Sequence, residues 1–418
     1  MVEAMQVPKG YKNTDVGIIP NEWNVQILKS LVFCHNAGVY KKKELYGTGC
    51  NIVGVSNLYE INYVGGQVFA SVPLSEQELK LSSLKENDLL YGESSLVREG
   101  IARTIYVTAG GAGTAFAWHT RRYSVEQKKL LSRYLYYYLQ SRPARKHMMD
   151  KCIQTALTGI NTSEYFACPI PLPSIAEQTA VATALNDADA LITGLEKLIA
   201  KKKAIKQGAM QELLKPKDGW EVKKLGQIAD VTKLAGYEYS KYFNSYKDAG
   251  EIIVIRGTNI THNKLDLSDT KTIPRQISNN LLRSKLNKND LVFAYVGTIG
   301  PVYLINEDDK YHLGPNTSKI SAKKDITPQY LLKYFTSEYI KNEIIEYTSI
   351  GAQPSLSMAK IRKFRIAYPN TKEEQTRITQ ILSDMDAEIE ALKKKLDKYK
   401  MLKQGMMQNL LTGRIRLI

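Results

Sequence analysis

The chain has 418 residues, with 58 Lys and Arg against 42 Asp and Glu, and a formal net charge of +16. That length calls for more than one domain, and cations spread along all of it favour a polyanionic partner such as nucleic acid. Four cysteines (Cys34, Cys50, Cys152, Cys168) without a CxxC pair, the lack of a signal peptide, and no apolar run near the length of a membrane span argue against a disulfide scaffold and a membrane protein, and for a reduced cytoplasmic one.

The first globular part, residues 1–174, opens on YKNTDVGIIPNEW, which ends at Trp23. Runs rich in Val, Ile and Tyr and punctuated by Gly, Asn and Asp predict strands near Asn51–Ser56, Leu89–Tyr91 and Ile105–Thr108. A helix is expected to start near Val125. Phosphate contacts need cations and base reading needs polar side chains on projecting loops. The candidates here are Lys41, Lys42 and Lys43, just before Tyr46, then Arg98, Arg103, Arg121 and Arg122. The run Gly110-Gly111-Ala112-Gly113-Thr114 lacks a GxGxxG frame and reads as a turn between strands rather than a nucleotide loop. A Gly-containing loop and an extended run then end at Pro173, which marks a boundary.

Residues 175–215 form a spacer. From Glu177 to Leu214 there is no Pro, and Ala, Leu, Lys, Glu and Gln dominate. This is one helix of roughly 57 Å at 1.5 Å per residue.

A second globular part, residues 216–371, repeats the plan. Strands are expected near Ile252–Arg256, Leu291–Tyr295 and Val302–Ile305, and a helix behind Thr327-Pro328, where Thr caps and Pro suits the first turn. DNA-contact candidates are the Tyr-rich loop Tyr237, Tyr239, Lys241 and Tyr242; Arg256, Thr258 and Asn259 at a strand end; and Thr298, Gln353 and Ser355 on glycine-flanked loops. The acidic run Glu307-Asp308-Asp309 reads as a solvated turn. Residues 372–418 hold a second long helix, Glu374 to Leu411.

The two long helices align without a gap at an offset of 197 (374 − 177). In the first, positions at alternating steps of four and three are Val181, Leu185, Ala188, Ile192, Leu195, Ile199, Lys202, Lys206, Ala209 and Leu213. In the second they are Ile378, Leu382, Met385, Ile389, Leu392, Leu396, Tyr399, Lys403, Met406 and Leu410. That spacing is a coiled-coil seam; the alternative is two unrelated amphipathic helices. Lys202 on the seam is expected to snorkel outward or to mark a place where the pairing loosens. The lysine runs 201–203 and 393–395 read chiefly as solvated faces.

The duplication extends into the globular parts: Trp23 answers Trp220, Asn57 answers Asn259, Asp88 answers Asp290 and Tyr134 answers Tyr330. A repeat this long is a domain duplication. The expected fold is α+β: two mixed globular domains separated by a long antiparallel two-helix coiled coil, with an internal pseudo-twofold. Such a strut would hold two DNA-reading heads at a set separation, on the scale of a helical turn of B-DNA.

The YKNTDVGIIPNEW opening, the PLPSIAEQ and YPNTKEEQ entries to the helices, the KQGAMQELL and KQGMMQNLL exits and the LLTGRIRL ending together resemble the specificity (S) subunit of type I restriction–modification systems over essentially the whole chain. The resemblance implies that the globular parts are target recognition domains that read a split, asymmetric site on double-stranded DNA. It implies that the helices act as spacer and dock two methyltransferase (M) subunits for N6-adenine methylation, and that added restriction (R) subunits cleave unmodified DNA. S-adenosylmethionine, ATP and Mg²⁺ would then belong to the partner subunits, with no cofactor and no catalysis in this chain. The first recognition domain matches the second only at scattered landmarks. The sequence carries neither a GxxxxGK[ST] loop nor a [DN]PP[FY] run, and its five histidines lack metal-ligand spacing. A self-sufficient methyltransferase is therefore not expected; a coiled-coil scaffold with protein-binding heads is the competing class.

Overall fold

The computed structural model describes residues 7–154, 157–242, 250–261, 263–348 and 354–417. It divides into two units, Met1–Glu196 with Lys395–Ile418, and Lys197–Lys394. Among the described residues no helix is long and apolar enough to cross a membrane.

The first unit is built on a five-stranded sheet in the order Val32–Ala37, Thr120–Val125, Leu89–Gly92, Thr104–Val107, Tyr63–Val64. Its pairings are antiparallel except at the last edge. A smaller sheet places Cys50–Val53 between Ala115–Phe116, parallel, and Ala70–Val72, antiparallel. The second unit repeats both sheets. Its central sheet runs Ala229–Lys233, Thr317–Ala322, Leu291–Ala294, Val302–Leu304, and its other sheet seats Ile252–Ile255 between Lys271–Ile273 and Tyr311–Leu313. Five of the six predicted strands lie where expected to within a residue; the one expected near Asn51–Ser56 is Cys50–Val53, ending three residues early. The helix expected near Val125 does not: Val125 ends a strand, and the helix is Ser132–Leu139. The second helix begins at Pro328, with the Thr327 hydroxyl accepting from the Tyr330 amide.

Two of the landmark pairs, Asp88 with Asp290 and Tyr134 with Tyr330, do the same work in both units. Asp88 accepts from the Lys85 amide and the Ser124 hydroxyl; Asp290 accepts from the Asn287 amide and the Ser321 hydroxyl. The Tyr134 hydroxyl donates to the Pro171 carbonyl and that of Tyr330 to the Ala367 carbonyl. Each of these phenols is buried and pushed far above its ordinary range by desolvation.

The two long helices are continuous, Ile175–Leu213 and Lys372–Leu410, each of 39 residues. Each unit takes one half of both. In the first unit Val181 and Leu185 pack in one core with Met406 and Leu410. In the second, Ala209 and Leu213 share a core with Ile378, Leu382 and Met385. Charged pairs repeat the register. Lys403 meets Asp189 at 2.5 Å and Lys400 meets Glu196 at 2.7 Å in the first unit. Lys206 meets Asp386, and Lys202 meets Glu388 at 2.6 Å, in the second. As one helix advances its partner retreats, so the pairing is antiparallel within each unit. Every seam position is buried or half-buried, Ile192, Leu195, Ile199, Ile389, Leu392 and Leu396 included. Lys202, a third exposed, carries its ammonium out from the seam to the exposed Glu388 of the other helix. Burial raises the Asp386 carboxyl, but hydrogen bonds from Lys206 and Lys333 outweigh it and hold it below the usual carboxylate range.

The helix entries explain the EQ of the two entry motifs. Gln178 is fully buried; its amide donates to the carbonyls of Lys129 (2.9 Å) and Pro173 (3.1 Å), and its oxygen accepts from the Leu131 amide (2.9 Å). Gln375, also fully buried, donates to Asp325 and Pro369 (both 3.0 Å) and accepts from Thr327 (2.7 Å). Each glutamine thus seats a globular part on its helix. The C-terminal tail closes the first unit. Arg416 bridges Glu177 and Glu22, and the Trp23 indole donates to Glu177 at 3.0 Å. Gly413 (φ 69°) permits that approach, because a Cβ there would stand 2.4 Å from Pro20 Cδ.

Candidate nucleic-acid interface

Both units carry loops beyond the same strand ends of the central sheet. In the first unit the Glu93 amide donates to the His119 carbonyl at 3.0 Å, and Ser94–Ser95 pairs with Thr158–Gly159. In the second the Tyr295 amide donates to the Asn316 carbonyl at 3.1 Å, and Val296 bridges to Ser355. His119 (φ 64°) and Asn316 (φ 65°) are both left-handed and stand 197 residues apart (316 − 119). One tight turn therefore recurs at the loop end of each sheet, where side chains are free to differ.

The arginines singled out in the sequence hold these loops in place. Arg98 donates to the Met149 carbonyl, and Arg103 to the Leu58 carbonyl and the Asn62 side chain. Arg121 pairs with Glu93 at 2.7 Å. Arg122 binds Asn36 and the Ser83 carbonyl and lies 3.6 Å from Asp88. Arg256 pairs with Asp269 at 3.0 Å. Asn259 is buried; its amide donates to the Asp266 and Asp269 carbonyls and its oxygen accepts from Arg256. It braces its loop from inside, as Asn57 does by accepting from the Gly54 amide. A sequence displays a guanidinium but not the carbonyls waiting for it, which is why these residues read as surface contacts.

Lys41 is also committed. It pairs with Glu78 at 2.8 Å and pulls that carboxyl down to about 2. Lys42, Lys43 and Tyr46 remain exposed on the loop. In the second unit Tyr237, Tyr239 and Lys241 are exposed on the short helix Gly236–Tyr242, while Tyr242 is half-buried with the Lys241 ammonium 5.0 Å from its ring. Thr258 and Thr298 come together, lining one cleft of about 630 Å³ with Thr261 and Asn263. Ser355 is half-buried in its bridge, and Gln353 lies outside the described residues.

A group of exposed aromatic side chains in the first unit carries no signature in the sequence. Trp118 is 50% exposed and Tyr40 64%. Their rings meet edge to face at 5.3 Å, and His119 stacks on Trp118 at 4.0 Å. No periodicity marks them, since they come from two loops distant in sequence.

The family described as type I restriction modification DNA specificity domain matches this chain twice, over residues 20–207 and 217–400. The chain is similar to the putative type I restriction enzyme MjaX specificity subunit of Methanocaldococcus jannaschii, 23% identical over all of this chain and 99% of that one. It is also similar to the MjaVIII specificity subunit of the same organism, 24% identical over 70% of this chain and 72% of the relative. Among solved structures, the S subunit of the type I restriction–modification system of M. genitalium superposes with a TM-score of 0.57 at 15% identity, covering 93% of this chain and 96% of that one; at that identity the likeness bears on the fold alone.

Proposed function

Since the chain belongs to the type I restriction–modification DNA specificity family, we propose that it is the non-catalytic subunit that reads a bipartite, asymmetric DNA site, one half-site per unit. The single observation that carries this reading is the pattern of what is repeated and what is not. The buried frame recurs residue for residue, at Asp88 and Asp290, Tyr134 and Tyr330, Gln178 and Gln375, while the loops on it differ. The turn that presents Trp118 and His119 in one unit presents Pro315 and Asn316 in the other. Retained frames with dissimilar loops suit two readers of different short sequences. The formal charge of +16 suits phosphate.

In this reading the length of the two continuous helices sets the number of unread base pairs between half-sites. The same helices recruit the other subunits: two methyltransferase subunits, which bind S-adenosylmethionine and methylate adenine at N6, and restriction subunits, which use ATP and Mg²⁺ to cleave. Support for docking comes from apolar side chains left exposed on the helices, Leu191, Met401 and Leu402 in the first unit and Leu198 and Ile205 in the second. The test is to map N6-methyladenine in cells carrying the chain with its methyltransferase partner, before and after exchanging residues 216–371 for those of a relative. One half of the methylated site should change. A change in both halves, or no methylation dependent on the chain, refutes the reading.

A further inference from the structure

The geometry points to Trp118 and Tyr40 as a DNA-contact corner of the first unit, packing against deoxyribose and base edges of the duplex while Lys42 and Lys43 take phosphates; this inference rests on the proposed DNA-reading function.

Four observations carry it. First, the corner is built and then left open. Gly38 lets the chain pass so close to Ala117 that a Cβ would stand 2.2 Å from the Ala117 carbonyl oxygen. Val39 accepts from the Trp118 amide at 2.8 Å and its own amide donates to Phe116 at 3.0 Å. This crossing fixes Tyr40 against the edge of the Trp118 indole, yet both rings keep half or more of their surface in solvent. An exposed Trp held by aromatic neighbours and a tight turn is costly to leave unused, because large apolar faces gain most from burial.

Second, the charge beside the corner is cationic and available. Lys42 and Lys43, two and three residues after Tyr40, are exposed, whereas Lys41 is neutralised by Glu78. Third, the second unit also carries an exposed aromatic just beyond the strand that matches Val32–Ala37: Tyr237, on the helix Gly236–Tyr242, is 72% exposed and is followed by the exposed Lys241. Aromatic faces beside lysines suit sugar and base-edge surfaces next to phosphates. Fourth, the nearby arginines are occupied in bracing the loops, which leaves the corner and its lysines as the outward groups of this loop pair.

The test uses the full chain assembled with its methyltransferase subunits and a duplex bearing the site mapped by N6-methyladenine sequencing. Trp23 is buried and Trp220 half-buried in the other unit, so Trp118 is the most exposed of the three indoles and its fluorescence reports on the corner. Duplex should quench that emission, and Trp118→Phe should bind as the parent does but lose the response. Trp118→Ala and Tyr40→Ala should each weaken binding about five- to tenfold at constant salt, with the thermal unfolding profile unchanged. Salt dependence should stay as in the parent for these two and fall only in Lys42→Ala/Lys43→Ala. If the assembly binds duplex but Trp118→Ala keeps parental affinity and the parent shows no quenching, the corner lies off the DNA and the inference is overturned while the proposed function stands. If the parent assembly binds no duplex at all, both fall.

Discussion

Replacing Gln178 by Met should release the first globular part from its helix while leaving the second unit intact. The side chain is fully buried and makes three hydrogen bonds, to the Lys129 and Pro173 carbonyls and from the Leu131 amide. Met keeps the length and the rotamer freedom but offers no partner to any of the three. A buried polar group left without a partner costs about 1–3 kcal/mol, and carbonyls, with a second lone pair, fall toward the lower end. The sum is about 3–5 kcal/mol, a large share of the stability of a domain. Global unfolding of a chain with two units is not two-state, so the assay is native-state hydrogen exchange read by peptide. Amides around Leu131 and along the strand Pro169–Leu172 should lose protection by a hundredfold or more, and those of Lys197–Lys394 should not. Gln375→Met should give the mirror image around Thr327. A change under about fivefold at the first-unit amides, or equal losses in both units, would refute the account of these glutamines as seats.

His312 is fully buried between the hydroxyls of Ser278 and Ser284, and burial holds its pKa down at about 4. The unfolded chain therefore binds the extra proton, so the stability of the second unit is intact above pH of about 6.5 and is lost as pH falls toward about 4, a loss of about 3 kcal/mol. Melting curves between pH 7.5 and 4.5 should show it, and His312→Gln should flatten that dependence. The paired substitution Lys42→Ala/Lys43→Ala should lower the slope of log affinity against log salt by nearly two, since each phosphate contact contributes about 0.9; an unchanged slope in filter binding removes these lysines from the interface. Shortening both long helices by seven residues should, on the proposed function, alter the tolerated gap between half-sites and leave the half-site sequences as they were, as read by methylation mapping. Introducing Asp at Leu198 and Ile205 should weaken co-purification with the methyltransferase subunits without changing DNA sequence preference.

The architecture was legible because duplication writes each structural requirement twice. Asp88 with Asp290 and Tyr134 with Tyr330 proved to be the same capping aspartate and the same strand-anchoring phenol. The helix seam was legible because burial on one face of a long helix imposes its own period; every seam residue is at least half-buried. The helix assigned near Val125 failed because Glu126 to Leu131 has helical composition, but a strand partner across from Val32 claims Val125 first. The packing of the loops was the least legible part. Arg98, Arg103, Arg121 and Arg122 have the chemistry of DNA contacts, and their partners come from segments tens of residues away, invisible to local pattern; Arg256 and Asn259 instead close a local loop with Asp266 and Asp269. The Tyr40 and Trp118 pair was hidden for the same reason.

Each unit borrows half of both long helices for its own core, and this limits how such proteins can diversify. A globular part cannot be grafted as a free cassette. Whatever replaces the second one must fit a footprint that stays behind, formed by Ala209, Met210, Leu213, Ile378 and Leu382. It must also bring a backbone carbonyl and amide for Gln375 to clasp. Recombination within this family is therefore expected to shuffle loops and whole heads across breakpoints near Lys215 and Lys372, while the helix face beneath them drifts slowly, since a change there must suit every head that will later land on it.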